Sequence, residues 1–259
     1  MNHLTGAGSN QDSLIDSTRI DLLNVHIFES AEDLESALTE SIASEIIKIV
    51  AEKGHATGIF SSASEFDGLL HKLTLRADIP WTRFICYAVG EYVGMDEDSP
   101  RSLRRYLIER LVSRVPIAEF HGLRGEASNL AAVCSNFASL LESRPPDFAV
   151  IDLDQAGGLS LIDARNCDFN DPAPVRVIER SDGRALITMT IPTLIKCRTI
   201  FASAFAPAFT TAFASAGDPE KTVVESLKQG IRPQYPASIL TTHPCAHLFL
   251  NSQRTAKGC

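Results

Sequence analysis

Apolar side chains at Leu34, Leu38, Ile42, Ile46 and Ile49 recur at spacings of three and four, which predicts a helix over 31–53 that Gly54 ends. A short apolar run over 55–60 reads as a strand, and the Ser61-Ser62-Ala63-Ser64 turn after it reads as the cap of a helix over 65–75. Further strands are predicted over 82–89, 147–154, 185–190, 199–204 and 246–250. Helical patterns cover 103–115, 130–141, 207–216, 219–229 and 236–241, with Arg104, Arg105, Glu109 and Arg110 on the outer face of the first. The stretch 155–183 is rich in Asp, Asn, Gly and Pro and reads as loop. Residues 1–22 are polar and read as a frayed tail before a single domain over 23–259. Strands alternating with helices imply an α/β fold: a Rossmann-like, doubly wound, largely parallel sheet with helices on both faces. Ligands in such folds sit outside the C-terminal ends of the strands, here 61–64, 89–91 and 152–158.

Composition narrows the function classes. The chain carries 24 basic and 32 acidic residues among 259, a net charge of −8, which argues against nucleic acid as a partner. The start of the sequence lacks a basic segment followed by an apolar one, so a secretory leader is not expected. Residues 199–217 carry no charge, but Ser203, Pro207, Thr210, Thr211 and Ser215 interrupt them, which favours a buried strand and a small-residue helix over a membrane span. The six cysteines contain no C-x-x-C pair, so free thiols and a cytoplasmic location are the expectation. No dinucleotide loop, Walker sequence or nucleophile elbow is present, and neither a cofactor nor a metal is expected.

Several segments, in order, resemble the glucosamine-6-phosphate deaminase / 6-phosphogluconolactonase superfamily, its deaminase branch most. Ser61-Ser62-Ala63-Ser64-Glu65-Phe66 stands where that branch has its Thr-Gly-x-Ser-Gln phosphate loop. Asp78-Ile79-Pro80-Trp81-Thr82-Arg83 and Gly90-Glu91-Tyr92-Val93-Gly94-Met95 are similar to the approach to, and the body of, the family's Asp-Glu-Tyr-Val-Gly motif. Ser99 to Leu107, Thr190-Ile191-Pro192, Pro236 to Leu240 and Thr242-His243-Pro244 follow the pattern too, so that the resemblance runs from about 25 to 252. It implies a sugar phosphate or aminosugar phosphate as ligand, and association into homo-oligomers, with no membrane partner.

The departures fall on the chemistry. The family's catalytic aspartate, the base that moves a proton between sugar carbons, falls on Gly90, and its ring-opening histidine falls on Gly158. Its phosphate-holding lysine falls on Pro207, and the segment carrying a phosphate-binding arginine is cut to Glu179-Arg180-Ser181-Asp182-Gly183-Arg184. Proton transfer needs a base within hydrogen-bond reach of the carbon acid, and glycine offers no group. The resemblance therefore implies a relative without deaminase activity that binds a ligand, regulates or assembles.

Other readings compete with it. Ser61, Ser62 and Ser64 are the candidates for a phosphate cradle, or else an ordinary helix cap. Glu91, Asp152 and Asp154 are the candidate catalytic acids of an altered isomerase or hydrolase, Asp152 and Asp154 sharing a strand face. Against that, Glu91 could hold backbone amides, and the two aspartates could sit solvated and repel phosphate. A non-enzymatic interaction protein is the third reading. His121 and His243 read as structural donors and Cys86 as an inert buried thiol.

Overall fold

In the computed structural model the described residues are 14–154, 156–204 and 219–251, with side chains described from 223 in the last segment. Eight strands form the main sheet: β1 (Leu14–Ile20), β2 (Leu23–Phe28), β3 (Ala56–Phe60), β4 (Phe84–Ala88), β6 (Glu119–His121), β7 (Phe148–Asp152), β10 (Thr199–Ala204) and β11 (Ala246–Asn251). Their order is β1-β2-β11-β10-β7-β3-β4-β6, parallel throughout except for the β1–β2 hairpin. A second, antiparallel sheet joins β5 (Gly90–Tyr92), β8 (Val175–Glu179) and β9 (Ala185–Met189) in the order β5-β9-β8.

The predicted helix over 31–53 forms as α1 (Ala31–Lys53), capped by Ser30, whose hydroxyl accepts from Asp33 N, and ended by Gly54 at φ 86°. Its stripe from Leu34 to Ile49 is buried with α2 (Asp67–Thr74) and α3 (Leu103–Leu107) on one face of the sheet, against Phe60, Phe84, Phe148, Phe201 and Phe249. The other face carries α4 (Leu130–Ser143), α5 (Ile191–Leu194), α6 (Pro219–Leu227) and the second sheet. Along β7 the period-two pleat divides the cores: Phe148 and Val150 belong to one, Ala149 and Ile151 to the other.

Several expectations are corrected. Residues 14–20 are an edge strand rather than tail, because the β1–β2 ladder satisfies their backbone although their side chains stay largely exposed. The loop expected over 155–183 contains β8, and the strand over 185–190 leaves the main sheet to pair with β5 and β8. The helix over 103–115 ends in a π-helical turn (Ile108–Val112), and Arg104, expected outside, is 5% exposed between Glu97 and Glu126. The helix expected over 207–216 lies outside the described residues.

Chain order fixes the ligand end. From β3 the sheet grows through β4 to β6 on one side, then β7 crosses to the other side of β3 and β10 and β11 follow. The winding direction reverses between β3 and β7, and the crevice outside their C-terminal ends is where a doubly wound sheet receives ligands. Ser61 leaves β3 there, and Asp152 closes β7.

Candidate functional site

Three serine hydroxyls were candidates for a phosphate cradle, and all three are committed elsewhere. Ser61 Oγ lies 2.6 Å from Ser160 Oγ, Ser62 Oγ donates to the Leu103 carbonyl at 2.9 Å, and Ser64 Oγ donates to Glu65 at 3.2 Å. None caps a helix: Ala63 precedes a 3-10 turn (Ser64–Phe66) and Phe66 precedes α2, both without a side-chain cap, and Glu65 and Asp67 occupy the first turns. The expected serine cap is therefore absent.

Glu91 is fully buried, and its carboxylate is spent on structure. It accepts from Tyr92 N, Ser102 Oγ, Leu103 N and Arg104 N at 2.8, 2.6, 3.0 and 2.9 Å. Three of these donors belong to the start of α3, where the first amides lack intrahelical acceptors and favour a negative charge. Among the described residues, no three His, Cys, Asp or Glu side chains come together as a metal site.

Asp154 organises the following loop. Its Oδ1 accepts from Ala156 N and Gly158 N at 2.9 and 2.7 Å, and its Oδ2 faces Arg180 Nη2 at 3.3 Å. Arg180 also has Asp163 and Asp182 at 3.9 Å, so three carboxylates surround one guanidinium. The turn is closed by Gly157, at φ 82°, under the Tyr235 ring; a Cβ there would stand 2.0 Å from Tyr235 Cε2. Burial first, and then Asp154, push the Tyr235 phenol up to about 12.

Asp152 faces an acidic environment. Burial pushes its carboxyl above the ordinary aspartate range; hydrogen bonds from Ser61 and the backbone oppose the shift, and the charges of Glu65 and Asp154 add to it. Ser160, at φ 53°, donates its amide to the Asp152 carbonyl at 2.7 Å and positions its hydroxyl against Ser61. A serine in the left-handed region is uncommon, and here the conformation delivers a buried hydroxyl to the strand ends. Beside them, Ser203 is the β10 partner of Asp152 in the parallel register, 1% exposed, with no hydrogen-bond partner for its Oγ. Sequence reading missed Ser160 and Ser203. The first needs a backbone angle that no pattern encodes, and the second needs the β7–β10 register.

The two glycines differ from simple vacancies. A Cβ on Gly90 would meet Leu161 Cδ1 at 2.5 Å and the Ile187 carbonyl at 2.8 Å. A Cβ on Gly158 would meet the Asp154 carboxylate, Oδ2 at 2.4 Å. A leucine methyl and a backbone carbonyl thus close position 90, and an aspartate already bound to Arg180 fills the space at 158. Pro207 lies outside the described residues. His243 and His121 stand as expected of structural residues: His243 Nε2 bonds the Cys197 carbonyl at 2.9 Å, and His121 Nε2 bonds Glu119 at 3.0 Å. Cys86 is fully buried, and burial raises its thiol well above the usual range. No described helix is long and apolar enough to cross a membrane.

No protein-family model matches the chain. A glucosamine-6-phosphate deaminase of Lactococcus lactis subsp. cremoris is 22% identical over 204 residues, 73% of this chain and 80% of that protein. One from Streptococcus pneumoniae serotype 4 is 26% identical over 132 residues, and the match spans 51% of this chain and 52% of that protein. Among solved structures, a monomeric glucosamine-6-phosphate deaminase superposes with a TM-score of 0.74 at 18% identity, covering 88% of this chain and 96% of that one. A 6-phosphogluconolactonase from Shewanella baltica gives 0.73 at 18% identity, over 92% and 99%. The shared fold and the sequence similarity agree with the order of motifs along the chain, and together they support membership of the glucosamine-6-phosphate deaminase / 6-phosphogluconolactonase superfamily.

Proposed function

We propose that this chain keeps the sugar-binding cleft of its superfamily and has lost the proton transfer of the deaminases. Its relatives belong to sugar-phosphate metabolism by name. The observation that carries the proposal is Gly90. The base position has no side chain to take up a proton, and Leu161 Cδ1 and the Ile187 carbonyl occupy the space that a Cβ would enter. Position 158 supports the same reading, because the group that fills it is paired with Arg180. The adjoining acid, Glu91, holds α3.

The test is ammonia release from glucosamine 6-phosphate by the purified protein. The expected result is no release above the uncatalysed rate. Turnover in the ordinary enzyme range, ~1–10³ per second, would contradict the proposal. One observation favours a second reading: burial shifts the Asp152 carboxyl upward, in the direction a general acid needs, which suits an altered isomerase or hydrolase. Conversion of a sugar phosphate that is abolished in D152N, without ammonia release, would establish it.

A further inference from the structure

Resting on the reading of a retained sugar cleft, we infer that the strand-end site built by Asp152 and Ser203 takes the ammonium group of an aminosugar that carries no phosphate. The first support is Ser203. Its hydroxyl is enclosed, unbonded and beside Asp152 in the β7–β10 register, at the end of the sheet where ligands enter. A buried hydroxyl without a partner is costly, and a ligand donor arriving there removes the cost.

The second support is the charge around it. Asp152 sits with Glu65 and Asp154 near enough to oppose its ionisation. Arg180, the guanidinium beside Asp154, already faces three carboxylates. The helix start that could bind an anion carries Glu65 and Asp67 instead of free amide-facing hydroxyls. A dianionic phosphate entering this crevice meets negative charge and finds no unspent partner among these groups.

An ammonium group suits the same surroundings. It has three N–H donors and no acceptor, and it meets a carboxylate and serine oxygens that accept. Its positive charge favours the ionised form of Asp152, against the upward shift that burial and the neighbouring acids impose, so binding is coupled to proton release. Ser160 and Ser61 complete the acceptor set, their hydroxyls being fixed against each other at 2.6 Å.

The experiment compares glucosamine, glucose, glucosamine 6-phosphate and glucose 6-phosphate at about pH 6.5, where an amine is protonated, by thermal shift and by calorimetry in two buffers. Glucosamine at several times its dissociation constant is expected to raise the melting temperature by about 2–4 °C, and the phosphates and glucose are not. The binding enthalpy of glucosamine is expected to change with buffer ionisation enthalpy, reporting proton release. D152N is expected to weaken glucosamine at least about tenfold and to abolish the buffer dependence, as loss of a charge-assisted partner does. S203A is expected to weaken binding while the unliganded melting temperature holds or rises, because its hydroxyl makes no bond to lose and its burial is costly. Binding of glucosamine 6-phosphate as tightly as glucosamine, or no binding of glucosamine at all, would overturn this inference and leave the absence of deamination standing. Ammonia release would overturn the functional reading itself.

Discussion

Placing an aspartate at position 90, where the proposed function has the deaminase base missing, should destabilise the protein before it restores activity. The glycine lies buried in β5, and its ladder with β9 pairs Gly90 with Thr188 and Glu91 with Ile187. A Cβ would stand 2.5 Å from Leu161 Cδ1, 2.8 Å from the Ile187 carbonyl and 3.1 Å from Thr188 Cβ. The leucine methyl can turn away, whereas the carbonyl belongs to the sheet and cannot. Overpacking of this kind costs ~1–3 kcal/mol, the range expected for G90A. G90D also buries a new carboxylate next in sequence to Glu91, a further cost of about 1–3 kcal/mol or more. The sum is at least ~2 kcal/mol, and at ~2–4 °C per kcal/mol the melting temperature should fall by about 4 °C or more. Thermal melting and urea denaturation of wild type, G90A and G90D measure it, with an ammonia assay on the folded fraction. A G90D protein within ~0.5 kcal/mol of wild type that also releases ammonia would refute the reasoning.

Other consequences can be checked with the same methods. E91A should lose ~2–4 kcal/mol in urea denaturation, because four donors lose their acceptor, and its effect on ligand affinity should follow only from unfolding. G157A should lose ~1–3 kcal/mol through its left-handed φ and the Tyr235 ring, measurable as a fall in melting temperature. D152N should raise the unliganded melting temperature at pH 7, since it removes a buried carboxyl whose ionisation is disfavoured. His26 and His247, hydrogen-bonded at 3.2 Å, are each held below 6.5, chiefly by burial. Above that pH both are neutral folded or unfolded; as pH falls through it the unfolded chain takes up protons first, so stability drops. Phenylalanine at 26 should flatten that acid slope relative to wild type in melts taken across pH 5 to 8.

Legibility in the sequence followed the physical source of each element. The α1 stripe and the apolar runs of β3, β4, β7, β10 and β11 are buried by side-chain pattern, so composition and period reveal them. Edge strands are held by ladder hydrogen bonds, which leave little trace. Leu14–Ile20 buries only Ile20 fully, and Val175–Glu179 only Val175 and Ile178, so one reads as tail and the other as loop. Arg104 reads as surface on a helix and is instead drawn inward by Glu97 and Glu126, which sit in separate loops. At the site, the strand ends and the two glycines were legible, because topology and motif order place them. Glu91 as an acceptor of backbone amides was legible as one of two readings. The roles of Asp154 and the serines were not, because each depends on a partner distant in the chain: Arg180 and Ser160.

The proposed loss of proton transfer is tested most directly by isotope exchange. Glucosamine 6-phosphate or fructose 6-phosphate is incubated with the protein in D2O, and the hydrogen on the carbon that the deaminase base would deprotonate is followed by NMR. With Gly90 enclosed by Leu161 and the Ile187 carbonyl, that signal should persist at the rate of the protein-free control. Its washout at catalytic protein concentration would show that a base still reaches the carbon, and would contradict the account.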